Sequence, residues 1–458
     1  MRMIGFAVSS FLLVGGCASR TKQSVSLYES GDYAGAARVA DEGLASHPHD
    51  NGLWQMRVRA ALALGDGDAV ARAYGSYRED RESDDNELLR DLAIATLGQA
   101  LASPSVKLKI TAIETVATNE LQVLAEQVAE RMGDEDDRVA AAAAVAVLRG
   151  FPQAPQVASQ MLRSEDAEAR RIAVDGIGKK VGALAVIDLQ RLAGNDPDPR
   201  VRRSAIRWLG VIKDKEAVEL LVRQMRHSDD SVRAAAAIAL SKIGVGNLAE
   251  FADKALADKA LAVRLAGIEL LVAAHRTDQL AKLAEDPDAM VAAEAAVASK
   301  RPELAAKALD RAAADDRWMI RVGAANFATR ALGKDGALVF AKKLVADKDV
   351  SVRLAAGAVL AHAGDRSGAA SVFAEALTGD HALRAATELA DLGDERGLKA
   401  LDAAVRDQKG SPDARAAAAS AHRGAHHITA GLVAALADPN GVVRVEAASA
   451  LINLAKRD

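Results

Sequence analysis

Apolar residues recur along this chain at helical intervals. Val232, Ala236, Leu240 and Ile243 stand 4, 4 and 3 apart, which puts them on one stripe of an α-helix. In front of the stripe runs Asp229-Asp230-Ser231-Val232-Arg233, and the same arrangement returns as Asp196-Pro197-Asp198-Pro199-Arg200-Val201-Arg202, as Asp347-Lys348-Asp349-Val350-Ser351-Val352-Arg353 and as Asp438-Pro439-Asn440-Gly441-Val442-Val443-Arg444. An acid or serine at that place predicts an N-cap, where its side chain satisfies free backbone N–H groups and complements the positive end of the helix dipole. Gly244 and its equivalents Gly178, Gly210 and Gly364 are predicted to end these helices. A second amphipathic stretch, such as Leu248 to Leu256, is predicted to return antiparallel.

The unit repeats. Arg202, Arg233 and Arg264 are each 31 residues apart, and further register points fall at Ala140, Arg170, Ala292, Arg321, Arg353, Ala382, Arg415 and Arg444. Spacings of roughly 28 to 33 residues are those of helical solenoids. With Lys107 as a weak first member, about twelve units are predicted. No helix of such a pair buries its apolar stripe alone, so the pairs must stack on their neighbours. The expected fold is all-α: an alpha-alpha superhelix, a right-handed helical-repeat solenoid. Aromatics make up only 3% of the chain while apolar residues reach 50%, which suits thin Ala- and Leu-rich layers better than several thick globular cores.

These repeats resemble HEAT repeats, specifically the short bacterial type of phycobilisome lyases, from about Ser103 to the C-terminus (103–458). The resemblance implies that each Val-Arg arginine braces the stack by pairing with an aspartate of its own or a neighbouring unit, Asp198, Asp229, Asp349 and Asp438 being the candidates. It also implies that the Val-Arg helices line the concave face, where partners lie. Polar or large residues there that the apolar stripe does not explain include Arg171, Asp175, Arg203, Arg207, Trp208, Glu269 and Asn326, with Glu294, Glu388 and Glu446. Nearer the N-terminus, Gly31-Asp32-Tyr33, Ala36, Pro48 and Trp54, then the turn Gly65-Asp66-Gly67-Asp68, resemble about two tetratricopeptide repeats over residues 24–80, the second degenerate. Such units bind peptides, which makes Tyr33, Trp54 and Arg57 candidates. Residues 81–102 are expected to form a connecting helix.

The first seventeen residues carry a different signal. Met1-Arg2 is a short basic start, Ile4 to Val14 is apolar, and Val14-Gly15-Gly16-Cys17 ends the run with small residues before the only cysteine of the chain. This segment resembles the lipobox of bacterial lipoproteins, which implies a signal peptide over 1–16, acylation of Cys17, and an extended tether over 17–23 with a reach of ~25 Å. Ala18, in place of the retention aspartate of enteric lipoproteins, points to the outer membrane, facing the periplasm.

Charge and chemistry narrow the function. Lys and Arg number 59 against 63 Asp and Glu, a net charge of -4, which speaks against nucleic acid as a partner. A single cysteine excludes a disulfide or a cysteine-based metal cluster within one chain. His422 and His426, four apart with His427 following, lack a completing carboxylate at helical spacing and are expected to be a solvated pair. The paired acids Glu165-Asp166 and Asp315-Asp316 fall at inter-helix turns in register, as caps. There is no phosphate-binding glycine loop, no nucleophile elbow and no zinc motif. The expectation is therefore a non-enzymatic scaffold without metal or cofactor, anchored to the membrane by lipid and binding envelope proteins. The alternatives are a binder of an envelope polymer such as peptidoglycan or polysaccharide, and a lyase-type enzyme.

Overall fold

The computed structural model describes residues 18–79, 81–150, 159–181, 185–425 and 427–456; the lipobox segment and Cys17 lie outside the described residues. Every regular element among the described residues is a helix. The chain divides into two compact units: one joins Met1–Leu97 with Leu401–Asp458, the other is Gly98–Ala400. It is an all-α superhelical architecture of consecutive helix pairs.

In the 98–400 unit the Val-Arg helices stack side by side: Ala167–Val181, Pro199–Ile212, Asp230–Ile243, Leu261–Ala273, Ala289–Ala298 and onward. Asp198, Asp229 and Asp349 cap their own helices, accepting the N–H of Arg200 at 2.7 Å, of Ser231 at 2.9 Å and of Ser351 at 2.8 Å. They are not the partners of the arginine ladder. That role falls mostly to the acid two residues before the cap, although Arg264 bonds the cap Asp288 itself at 3.0 Å. Arg170 makes a bidentate bond to Asp196 (2.8 and 2.9 Å), Arg233 to Asp258 (2.8 and 2.9 Å) and Arg321 to Asp347 (2.8 and 2.8 Å), each in the following unit. The remaining nitrogen of each guanidinium turns back to two carbonyls of its own loop, as Arg321 does to Asp315 and Asp316 at 2.9 and 3.0 Å. One side chain thus closes its own turn and holds the next unit. In the first unit Lys109, rather than Lys107, fills this place, reaching Asp134 at 2.6 Å.

The ladder has gaps the pattern explains. Twenty-five and twenty-six residues beyond Arg202 stand His227 and Ser228, and beyond Arg353 stand Thr378 and Gly379. His227 keeps half of the aspartate's work, accepting the N–H of Asp229 on Nδ1 at 3.0 Å, but offers no carboxylate, and Arg202 bonds only the Asp196 carbonyl. Two of the four glycines expected to end helices have another purpose. Gly244 does end its helix, with φ 75°, and Gly364 follows another with φ 94°. Gly178 and Gly210 lie inside theirs: a Cβ on Gly178 would collide with the Trp208 indole, and one on Gly210 would lie 2.7 Å from Ala239 Cα. They are places where neighbouring helices pack closely.

In the other unit the helices Ala18–Glu29, Tyr33–Ser46, Asn51–Ala63 and Gly67–Glu79 pack in sequence. Helix begins at Ala18, so the expected extended tether over 18–23 is replaced by turns that rise only about 1.5 Å per residue. Ser24 is buried and donates to the Ala36 carbonyl at 2.9 Å. Asp32 and Asp50 cap the next two helices. The Gly67–Glu79 helix packs on Ala430–Ala434, with the Ala434 carbonyl 3.4 Å from where a Cβ on Gly67 would stand. Residues 431–438 are buried without interruption as a result. Arg415 and Asp438 repeat the ladder here at 2.8 and 3.1 Å. His422 is fully buried, contrary to the expected solvated pair, and His426 lies outside the described residues. Its Nδ1–H donates to the Ala418 carbonyl at 2.8 Å, and burial pushes its pKa below the ordinary 6.5.

Two measurements check this account. Arg321→Met removes the guanidinium from half-buried Asp347 and is expected to cost about 1–3 kcal/mol in chemical denaturation; His227→Asp supplies Arg202 with its missing carboxylate and is expected to gain about 1 kcal/mol. In pH titration, stability conferred by neutral His422 is present above 6.5 and declines as the pH falls below it. A second loss follows below 3.8, where the guanidinium-bonded Asp258 and Asp347, held below that ordinary value, take up protons as the pH falls through their folded values. His422→Phe should flatten only the first decline.

Candidate interaction face

In five Val-Arg helices of the 98–400 unit the residue five past the register arginine is polar or exposed: Asp175, Arg207, Ile238, Glu269 and Asn326 follow Arg170, Arg202, Arg233, Arg264 and Arg321, whereas Ala358, five past Arg353, packs on the core. Repetition of the unit therefore sets these side chains in one row across successive helices. Arg207, Ile238, Glu269 and Asn326 are exposed.

At one end of the row the side chains form a network. The Asp175 carboxylate accepts from Arg171 at 3.0 Å, Arg207 at 2.7 Å and Trp208 Nε1 at 3.2 Å, and from the Ser204 hydroxyl. Arg171 is gripped from its other side by Glu168 at 3.0 Å, and that guanidinium holds the Glu168 carboxyl below its usual range. The Trp208 ring covers Gly178, and the Arg207 guanidinium lies over the indole at 5.0 Å. Arg203, a turn earlier on the same helix, is exposed and has no hydrogen bond or ion pair among the described residues. Arg171, Asp175, Arg207 and Trp208 are thus brought together from two helices, Arg203 stands beside them, and Glu269 and Asn326 lie farther along the row.

Sequence reasoning did not include Glu168 and Ser204, which need the two helices placed together. It also left out three exposed apolar residues: Val211 at 49%, Ile238 at 37% and Val272 at 41% exposure. They are nine, five and eight residues past Arg202, Arg233 and Arg264, three different places in the unit, so no single register position marked them. The other candidates behave differently. Trp54 Nε1 donates to the Pro48 carbonyl at 2.7 Å, Arg57 reaches Asp41 at 2.7 Å, and Tyr33 packs on Tyr28 with ring centres 5.1 Å apart. Glu294 pairs with Arg330 at 2.8 Å and Glu446 with Arg423, while burial raises the pKa of Glu388.

Two features bear on other chemistry. Among the described residues no group of three or more His, Cys, Asp and Glu is placed to hold a metal ion. A cleft of about 400 Å³ lies between the Val186–Asn195 and Val218–Gln224 helices, where Gln224 Oε1 is buried without a hydrogen-bond partner. Arg191 and Arg223 there face Glu216 and Glu219 and leave no net charge.

The model of the HEAT-repeat family matches residues 154–241 and again 188–272. These spans take in Asp175, Arg207, Ile238 and Glu269 but not Asn326, and the stacked helix pairs there are HEAT-like. No curated protein matches the chain. Among solved structures the chain is similar to Kap95p bound to RanGDP, with 13% identity over 96% of this chain and 79% of that one at a TM-score of 0.37. It is similar also to the UNC-45 myosin chaperone, with 12% identity over 89% of this chain and 60% of that one at 0.34, and to Kap121p bound to RanGTP, with 12% over 88% and 53% at 0.31. The chain thus spans little more than half the length of the last two. The likeness is one of stacked helices.

Within the face, Asp175→Ala is expected to cost about 1–3 kcal/mol, since it strands Ser204 and the Trp208 N–H, and to shift tryptophan emission in a Trp54→Phe, Trp318→Phe background. Gly178→Ala should cost about 1–3 kcal/mol by driving a methyl into the indole. Adding Trp208→Leu should recover part of that loss, a coupling measurable in a double-mutant cycle.

Proposed function

We propose that this chain is a lipid-anchored, non-catalytic scaffold of a bacterial envelope, presenting its Val-Arg helices to protein partners. The observation that carries the proposal is the surface of three successive helices, Pro199–Ile212, Asp230–Ile243 and Leu261–Ala273, which leaves apolar Val211, Ile238 and Val272 exposed together with Arg203 and Arg207. Aromatic and arginine anchors next to exposed apolar side chains are what protein interfaces use. The paired helices over 24–80 are proposed as tetratricopeptide-like and as a second, peptide-binding element, with Tyr33, Trp54 and Arg57 at its surface.

The anchor rests on Val14-Gly15-Gly16-Cys17, with acylation at Cys17 and placement in the outer membrane facing the periplasm. No helix among the described residues is long and apolar enough to cross a membrane. Because helix starts at Ala18, an acyl chain on Cys17 would hold the first helices directly at the bilayer surface, with almost no slack.

Cells carrying the full chain should incorporate labelled palmitate into the wild type and not into Cys17→Ser, and the variant should leave the membrane fraction; equal labelling of both would end the anchoring claim. A photo-crosslinking residue at position 207 or 238 is expected to capture envelope proteins in vivo. Capture of peptidoglycan fragments alone would favour a polymer binder instead.

A further inference from the structure

The turns that end the Val-Arg helices carry residues that neither the ladder nor the apolar stripe uses. Eleven residues after Arg202, Arg233, Arg264 and Arg353 stand Lys213, Gly244, His275 and Gly364, all with left-handed backbone at φ between 56° and 94°. Glycine is what such a helix end favours, because it has no Cβ to crowd the turn. Gly244 and Gly364 follow that rule. Lys213 and His275 do not, nor does Lys300, which lies just beyond the shorter Ala289–Ala298 helix at φ 58°. The helix dipole accounts for a cation somewhere in the last turn, as with Lys242, but gives no reason to set one at the left-handed place.

Because the Val-Arg helices stack side by side, their C-terminal ends and the starts of the return helices lie along one edge of the 98–400 unit. Lys213, Lys215, Lys242, Arg276, Lys300 and Lys334 are on that edge, all exposed and without an ion pair among the described residues. Asp214, Glu216, Glu303 and Asp335 stand among them, Arg301 and Asp278 pair with each other at 2.9 Å, and Glu120 holds the left-handed place in the first unit. From Lys213 to Asp335 the cations therefore outnumber the acids, on a chain whose net charge is -4. Aliphatic side chains join them. The two most exposed large apolar residues among those described, Ile187 at 83% and Val123 at 67%, stand in the opening turns of return helices. A helical side chain leans towards the N-terminus of its helix, so both lean towards this edge.

We infer that this edge rests on an anionic lipid bilayer, with its lysines at the lipid phosphates and Ile187 and Val123 dipping into the interface. Cations mixed with exposed aliphatic side chains are what membrane-surface segments use, and each cation near an anionic bilayer adds its own share of attraction. The two kinds of side chain are scattered over separate units, so no single pocket or groove gathers them. A bilayer offers phosphate and apolar depth at every point along such an edge, whereas an acidic protein segment offers its complement in one place and a nucleic acid has nothing for Ile187 or Val123. This inference rests on the anchor reading, which brings a bilayer within reach, and names the part of the 98–400 unit that touches it.

Cys17 is the only cysteine of the chain, so the full chain with Cys17→Ser has no acylation site and takes a single thiol label wherever a cysteine is added. Flotation with phosphatidylglycerol vesicles should carry this protein, less as salt is raised, and phosphatidylcholine vesicles should carry about fivefold less. A nitrobenzoxadiazole label on Lys215→Cys should brighten with the vesicles, while one on Lys348→Cys, at the opposite ends of the helices, should not. Lys213→Gly together with Lys300→Gly should raise the thermal midpoint, since glycine suits the left-handed backbone, and yet weaken vesicle binding about threefold. Lys242→Glu and Ile187→Ser should weaken binding with the midpoint unchanged. Undiminished flotation of these variants, a response at 348 in place of 215, or a glycine pair less stable than its parent overturns the inference. A poly-glutamate probe bound as tightly as the vesicles would assign the edge to an acidic protein and overturn it too. Palmitate labelling of the wild type alongside any of these failures would leave the anchor standing without this edge.

Discussion

The stack depends on one side chain used twice. An arginine at the start of several Val-Arg helices closes its own loop through two backbone carbonyls and grips, through its other two nitrogens, an aspartate of the next unit, as between Arg170 and Asp196 or Arg321 and Asp347. The aspartate is also used twice, since Asp347 takes the N–H of Asp349 at 2.8 Å while it holds Arg321. Such groups are mostly buried, where a charge without its partner is costly. The pair therefore specifies how one unit sits on the next, and the Ala-rich stripes, which carry little shape of their own, supply the contact area between them.

That arrangement leaves one face with nothing to do in the fold. The N-terminal ends of the Val-Arg helices are committed to caps and ladder, and the apolar stripes to stacking. The position five residues past the arginine is exposed at Arg207, Ile238, Glu269 and Asn326, whereas Asp175 bonds the next helix and Ala358 packs on the core. Asp175, Arg207, Ile238, Glu269 and Asn326 occupy it in different units, and their diversity is that of a surface whose residues answer to something outside the unit. Where two helices pinch together, Gly178 lies under the Trp208 indole and Gly210 against Ala239.

The chain ends obey a different logic. A solenoid has two raw edges, each an apolar face that a further repeat would have covered. Here the Gly67–Glu79 helix covers Ala430–Ala434, so that a helix with no polar outer side is buried. Periodicity cannot show this, because a repeat specifies only its nearest neighbours.

Much of this was legible in the residues themselves. Helix periodicity, the caps at Asp198, Asp229 and Asp349, and the register that aligns Arg170, Arg202 and Arg233 are local features, written within one unit by the spacing of apolar and acidic side chains. The row containing Asp175, Arg207, Glu269 and Asn326 was legible for the same reason. What the tertiary structure decided are the relations between units: that Asp196 and not Asp198 receives the arginine, that Lys109 begins the ladder, that Gly178 and Gly210 make room instead of ending helices, that His422 is buried, and that Val211, Ile238 and Val272 are left uncovered. Each depends on which atoms face each other across twenty to thirty residues of intervening chain. A sequence records the period of a repeat, and only packing determines what its neighbours cover.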